Sequence, residues 1–373
     1  MCVGGRRSRP PTHHSLVSPL PTPPKRRGEG AGGGAISQSR CNFAQNSNAL
    51  LSDDCLPHWL TRVTISLAMP NAPATQPPIC SYEDSPWRTE FWRGREYEDR
   101  AERHALARLL PARGARVCEI GAGFGRLAEF YLGYDHIILL DYARSMLREA
   151  RDQLAQQPRF APHLARITFV AADLYNLPLA DDTLDTAVTV RVLHHVADIP
   201  RAFAEIARVV RPGGTYLTEF ANKRHLKAMG RYLLTRRAPN PFTDEPYEFV
   251  PLNFDFHPRY IEAQLRAANF SVHERRAVSF FRLALLKRLV PAPLLAALDA
   301  RLQAPLASLY LTPSVFFRAI SCKSGAPRLN VALWRCPTCH ATALDESRDA
   351  LVCSTCGCAY PIVDGIIDFK AQM

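Results

Sequence analysis

Between Arg116 and Glu219, short apolar runs and helix-patterned stretches take turns along the chain, an order that few folds accept. Arg116–Ile120, His136–Leu140, Ile167–Ala171, Thr186–Arg191 and Thr215–Glu219 read as strands, while Leu127–Leu132, Arg144–Gln156 and Ile199–Val210 carry helical spacing. Strands that are apolar nearly throughout are buried on both faces, which requires helices above and below a parallel sheet. The expected fold class is therefore α/β with a doubly wound parallel sheet, entered through a lead-in helix at Glu96–Leu110. A helix at Tyr260–Ala268 and strands at Val272–Val278 and Ser314–Ile320 are expected to finish the sheet with an antiparallel edge. Between them, Leu283–Leu311 reads as mobile helical packing material.

Upstream of Ser81 this pattern is missing. The first 40 residues hold 13 of the 49 glycines and prolines, so residues 1–70 are expected to be a disordered Pro/Gly-rich extension, with Met69 as an alternative start. An organelle leader would share the arginines, but Pro and Gly oppose its amphipathic helix, and no secretory signal is visible. A cytoplasmic location is expected. No run reaches the roughly 18 uncharged apolar residues of a spanning helix, which argues against transport and channel functions. The net charge of +11 divides into +5 for residues 1–70, +7 for 71–325 and −1 for 326–373, a spread too even to mark a nucleic-acid grip.

The stretch Val117-Cys118-Glu119-Ile120-Gly121-Ala122-Gly123-Phe124-Gly125-Arg126 stands at the first strand-to-helix junction. Glycines there let backbone approach a ligand closely, although a mere tight turn also uses them. A dinucleotide fingerprint needs a third small residue where this chain has Arg126, which disfavours a pyrophosphate ligand. Glu119 ahead of the loop suits an ammonium group where a phosphate would be repelled, so the ligand reads as an amino acid joined to a nucleoside. Asp141, ending the next strand, suits both hydroxyls of a ribose, and Asp173, ending the third, suits the exocyclic amine of adenine. Singly, each acid also reads as a strand-end or cap residue; at successive strand ends behind a glycine loop they form a set.

These landmarks resemble a class I S-adenosylmethionine-dependent methyltransferase of the type-11 group, over about Glu96 to Glu219. The resemblance is carried by the loop Glu119–Gly125, Asp141, Asp173-Leu174, the segment Leu177–Asp185, the run Val188–Val196 with Leu193-His194-His195, and Arg211-Pro212-Gly213-Gly214. It implies a Rossmann-like sheet with Glu119, Gly121 and Gly123 at the methionine end of the cofactor S-adenosyl-L-methionine, Asp141 at its ribose, and Asp173 with Leu174 at its adenine. Arg191 is then expected to face cofactor and substrate, and Arg126 to turn to solvent or to a carboxylate in the helix. Tyr97 is expected either to close over the cofactor or to pack. Methyl transfer from a sulfonium mainly needs alignment in a site shielded from water. His194 and His195 are the catalytic candidates as general base, although the pair opens a stretch that reads more readily as packed beside the sheet.

Thr189-Val190-Arg191-Val192 stands where enzymes methylating DNA amines or glutamine carry Asn/Asp-Pro-Pro-aromatic, and no Pro-Cys nucleophile is present, so those substrates are disfavoured. The insert Ala221–Pro258 follows the fifth strand, where such folds build an acceptor lid, and carries Lys223, Arg224, Lys227, Arg231, Arg236 and Arg237 among aromatics. It reads as a grip on an anionic aromatic or lipid-like acceptor, or as a solvated basic helix and a packed loop.

Near the other end, Cys336-Pro337-Thr338-Cys339 and Cys353-Ser354-Thr355-Cys356 are two C-x2-C knuckles 13 residues apart, whose four thiolates can close a tetrahedron around Zn2+. A redox pair or an iron–sulfur site is the alternative. Four ligands leave no open position, so the zinc is expected to be structural, holding together a segment too small for a firm core of its own. Cys358 and His340 are surplus. Cys356 to Phe369 resembles the end of the small zinc-ribbon family whose freestanding members activate tRNA, rRNA and release-factor methyltransferases, and the likeness covers about residues 333–370. It implies a ribbon that docks on the catalytic part, covers apolar surface or presents a substrate.

The expected organisation is thus an extension (1–70), a methyltransferase domain (81–325) and a zinc ribbon (326–373). The expected activity is methyl transfer to a small-molecule or lipid-like acceptor, with tRNA, rRNA or a translation protein as the alternative. A non-catalytic cofactor-binding scaffold is opposed by the intact set Glu119, Gly121, Gly123, Asp141 and Asp173.

Overall fold

The computed structural model describes residues 77–84, 92–235, 239–325 and 332–371. The expected extension over 1–70, Met69, the pair Arg236-Arg237 and the join at 326–331 lie outside the described residues.

The chain runs α1 (Glu96–Leu109), β1 (Gly114–Ile120), β2 (Tyr134–Asp141), α2 (Arg144–Ala155), β3 (Ile167–Ala171), β4 (Leu184–Thr189), α3 (Ile199–Val209) and β5 (Val210–Ala221). Then follow α4 (Leu226–Thr235), a hairpin of β6 (Tyr247–Val250) and β7 (Asn253–Asp255), α5 (Pro258–Ala267), β8 (Phe270–Val278), α6 (Ala284–Leu289), α7 (Ala292–Leu302) and β9 (Ser314–Ser321). The C-terminal part contributes β10 (Leu344–Glu346), β11 (Ala350–Cys353), β12 (Ala359–Val363) and β13 (Ile366–Asp368). Eleven strands form one sheet in the order β10-β11-β12-β13-β3-β2-β1-β4-β5-β9-β8. Its six inner strands, β13 to β5, are parallel, and both ends are antiparallel.

Strand apolarity follows from burial on two faces. In β2, Ile137 and Leu139 pack with Leu106 of α1 and Leu147 of α2, whereas Ile138 and Leu140 point to the opposite core with Phe203 of α3 and Ile261 of α5. The helices start where chemistry allows. Glu96, Glu98 and Asp99 offset the positive end of α1, and the Asp198 carboxylate accepts the Arg201 N–H at 3.0 Å to cap α3.

Two local expectations are corrected, and the packed alternative holds for Tyr97. Leu127–Leu132 is no α-helix but a single 3-10 turn at Ala128–Tyr131. The glycine loop occupies the chain as far as Gly125, and Gly133 lies so close to the loop before β1 that a Cβ there would meet Ala112 O at 2.0 Å. β5 begins at Val210 and passes through Arg211–Gly214 with a register shift, so the expected turn is an irregular strand entry. Tyr97 does not close over a cofactor: it is buried, donates to Asp299 Oδ2 of α7 at 2.6 Å and accepts from Phe281 N–H, tying α1 to α7.

The expected C-terminal ribbon continues the main sheet. Its last strand lies parallel to β3, with Ile366 opposite Phe169 and Asp368 opposite Ala171, and Cys336, Leu351, Tyr360 and Phe369 share the core of α3 and α5. An edge that β3 would otherwise expose is thereby paired. No helix among the described residues is long and apolar enough to cross a membrane.

Candidate functional site

The chain leaves β1 toward β2 and β3 on one side, and β4 and β5 lie on the other, so a crevice opens at the carboxyl ends of β1 and β4. A cleft of about 190 Å³, partly open to solvent, lies there. Glu119, Gly121, Gly123, Asp141, Asp173, Leu174, Arg191, His194 and His195 all line it.

Its floor is the glycine loop. Gly121 and Ala122 donate to Leu140 O, and Gly121 has φ +79° with its hydrogens against Val192, where a Cβ would sit 2.2 Å from Cγ2. Gly123 (φ +53°) donates its N–H to Asp141 Oδ2 at 2.8 Å, and Ala143 N–H bonds the other oxygen at 2.8 Å. Asp141 therefore fixes the loop to the start of α2 as well as facing the cleft. Asp173 caps the next turn by accepting the Tyr175 N–H at 2.8 Å.

Glu119 is 3% exposed, and its carboxyl lies beside the buried Tyr131 hydroxyl, which can donate to it. Burial pushes its carboxyl up to about 8, against the opposing charge of Arg126. Glu119 lines the cleft, and a cationic ligand group beside its carboxylate would compensate the buried charge, so the residues fit the ammonium end of S-adenosylmethionine. Arg126 itself runs to α1, pairing with Asp99 at 2.5 Å and Glu102 at 3.0 Å, and stacks 4.3 Å over Trp92.

Arg191 lies beyond β4 in left-handed backbone (φ +60°); its N–H donates to Glu219 at 2.8 Å and its guanidinium pairs with buried Glu102 on the cleft wall. His195 donates Nδ1–H to Leu252 O at 2.8 Å, a bond that leaves Nε2 as the acceptor of the Tyr82 hydroxyl at 2.6 Å. Burial holds both histidines below their usual range, His194 well below, with His195 and Arg191 adding to the effect on His194. Each is neutral near pH 7, and His195 presents a basic nitrogen toward the cleft.

Tyr82 and Trp92 also line the cleft, and Glu102 and Glu219 hold Arg191 in its wall; sequence reasoning singled out none of the four. Tyr82 belongs to a strap, residues 77–84, held by the Ile79–Val196 bridge and by Glu83 accepting N–H groups of Arg144 and Ser145. No periodicity marks such a strap. Glu219 lies two residues before the end of β5, much as Glu119 lies one before the end of β1, and this shared placement of acids near strand ends is a signal the sequence carries.

In the ribbon, the Sγ atoms of Cys336, Cys339, Cys353 and Cys356 all lie within 4.8 Å of one another, with Cys336–Cys356 at 3.7 Å and Cys339–Cys353 at 3.5 Å. A tetrahedron with Zn–S of about 2.3 Å has edges of roughly 3.8 Å, so the four sulfurs fit zinc.

Residues 118–218 match the family described as a methyltransferase domain, and residues 333–365 match the Trm112p-like protein family. The chain thus carries a match to each of the two domains. An uncharacterized chloroplastic methyltransferase of Arabidopsis thaliana is 30% identical over 135 residues, 35% of this chain and 38% of that protein. The ubiquinone/menaquinone biosynthesis C-methyltransferase UbiE of a Marinomonas species is 33% identical over 120 residues, 31% of this chain and 46% of that one. The chain thus spans less than half the length of these two relatives. A complex between the Haloferax volcanii Trm112 methyltransferase activator and a methyltransferase aligns with TM-score 0.44 and 17% identity, covering 64% of this chain and 96% of the matched one.

Proposed function

We propose that this chain, built around a methyltransferase domain and closed by a Trm112p-like domain, is an S-adenosylmethionine-dependent methyltransferase acting on a small-molecule or lipid-like acceptor. The observation that carries this reading is the buried Glu119 carboxyl on one cleft with the glycine loop and Asp141, a set matched to an amino acid joined to a nucleoside. When bound, the cofactor supplies an electrophilic methyl carbon on its sulfonium. Glu119 takes the ammonium, the remaining lone pairs of Asp141 take the ribose hydroxyls, and Asp173 with Leu174 borders the adenine. Arg191, neutralised by Glu102, shapes the wall rather than carrying charge into the reaction. The strap and Trp92 exclude water. His195 Nε2 is the group to receive a proton from an acceptor that displaces the Tyr82 hydroxyl.

The acceptor half rests on the cleft's apolar walls, among them Ile79, Met146, Val190 and Val192, and on relatives such as UbiE, which by its name is a C-methyltransferase of quinone biosynthesis. The four cysteines are assigned to a structural zinc that locks the ribbon, and a cytoplasmic setting would keep those thiolates reduced. Incubation of the purified chain with tritium-labelled S-adenosylmethionine and separate small-molecule, lipid, RNA and protein fractions tests the reading. Label is expected in a small-molecule or lipid fraction. Label confined to RNA or to protein would overturn the acceptor assignment.

A further inference from the structure

Residues 77–84 cross the cleft from one wall to the other. On the β4 side, Ile79 forms an antiparallel bridge with Val196, and the Tyr82 hydroxyl donates to His195 Nε2 at 2.6 Å, with the two rings edge to face at 5.4 Å. On the β2 side, Glu83 accepts the N–H groups of Arg144 at 2.7 Å and Ser145 at 2.8 Å. Asp84, in left-handed backbone of φ +53°, returns its own N–H to Ser145 Oγ at 2.8 Å. β1 lies between β2 and β4 in the sheet, so a segment fastened to both sides passes over the end of β1 and the glycine loop that follows it. Pro78, Ile79, Cys80 and Tyr82 accordingly line the cleft.

The fastening on the β2 side meets the donor residues. α2 starts after Ala143, whose side chain cannot cap, so the first N–H groups of the helix need acceptors from elsewhere. Asp141 takes the N–H of Ala143, and Glu83 takes the next two. The acid assigned to the ribose and the acid of the strap thus hold consecutive N–H groups of one helix start, where the helix dipole favours negative charge.

None of the eight strap residues is buried. A segment without a buried side chain, pinned by a few hydrogen bonds, stands at the low end of local stability and opens without disturbing the sheet beneath it. A ligand held from Glu119 to Asp173 would run below it.

We propose that residues 77–84 are the gate of the donor site, with Glu83 and Tyr82 as its two latches. The cofactor enters and leaves when these bonds open and is retained while they are made. Glu83 is a positioning residue, acting on the donor through the strap. The proposal rests on the reading of the cleft as an S-adenosylmethionine site.

Stopped-flow mixing of the full chain with S-adenosylmethionine, followed by tryptophan fluorescence with Trp92 on the cleft wall, gives the association and dissociation rates separately. A gate governs entry and exit alike, so Glu83→Ala should raise kon and koff together, each by about fivefold or more, with Kd held within about twofold. Tyr82→Phe frees the other end without touching α2 and should show the same paired rise. Unchanged rates in both variants would overturn the gate. So would koff rising alone with weaker affinity, which would make the strap a contact of the bound ligand. A rise confined to Glu83→Ala would overturn it too, by placing the effect in α2. Alkylation of Cys80 by iodoacetamide without cofactor, read by peptide mass spectrometry, separates the gate from the donor reading. Both variants should label Cys80 faster than wild type, by about threefold or more. Equal labelling would overturn the gate whether or not the chain binds S-adenosylmethionine, whereas a wild-type chain that labels as expected and binds none would overturn the donor reading alone.

Discussion

Asp141 does two things at once, and only one was legible in the sequence. Its place at a strand end marks it as a ligand residue, but its bonds to Gly123 and Ala143 N–H depend on the left-handed glycine that turns that N–H back. Asp141→Ala should weaken S-adenosylmethionine binding by about 2–4 kcal/mol, roughly 30- to 1000-fold, and also lower thermal stability because two N–H groups lose their acceptor. Isothermal titration and a melting curve check both halves, and an unchanged affinity would remove Asp141 from the site. The glycines separate in the same way. At Gly121 a Cβ meets Val192 at 2.2 Å on backbone of φ +79°, whereas Gly213 has φ +70° and open space. Gly121→Ala should cost several kcal/mol or abolish folding, while Gly213→Ala should cost only the backbone strain of about 1–2 kcal/mol. Equal melting temperatures for the two variants would contradict the packing described for the loop. Tyr82→Phe removes the hydroxyl from His195 without touching the donor residues, so donor affinity should hold within about twofold, whereas His195→Ala should lower methyl transfer by a factor of about 10² or more.

Strands were the most legible elements, because burial on two faces writes an apolar run that needs no tertiary information. Their ends were not, since β5 enters through Arg211–Gly214 by a shift relative to β4 that only the neighbour decides. The pairing of β13 with β3 was not legible either: Ile366-Ile367-Asp368 is too short to carry a period, and its parallel partner lies some 200 residues upstream. That pairing changes what metal loss should do. Phe369 donates its N–H to Ala171 O, and Lys370 sits 4.3 Å from the Tyr142 ring on the cleft wall. Cys353→Ser, or removal of zinc by a chelator, should therefore lower the main melting transition and weaken donor binding rather than merely loosen a tail. Calorimetric scanning decides it: a catalytic transition unchanged by chelation would show the ribbon to be independent of the sheet.

At the scale of the whole molecule, the sheet topology opens a crevice, the glycine loop and strap line it, and the ribbon seals the far edge of the same sheet. The account turns on the charge state of one carboxyl at the bottom of that crevice. With its carboxyl near 8 when no cation is present, Glu119 is mostly protonated at pH 7 and must ionise to hold an ammonium group. Binding then releases a proton, and affinity rises with pH, by up to tenfold per unit below about 8, until the ligand's own ammonium begins to lose its proton and affinity falls again. Calorimetric titration with S-adenosylmethionine from pH 6 to 9 measures this directly. The account predicts saturable binding that follows this profile, a profile without that rise for Glu119→Gln, and no binding of NADH. Absence of S-adenosylmethionine binding at every pH, or binding of NADH in its place, would contradict it.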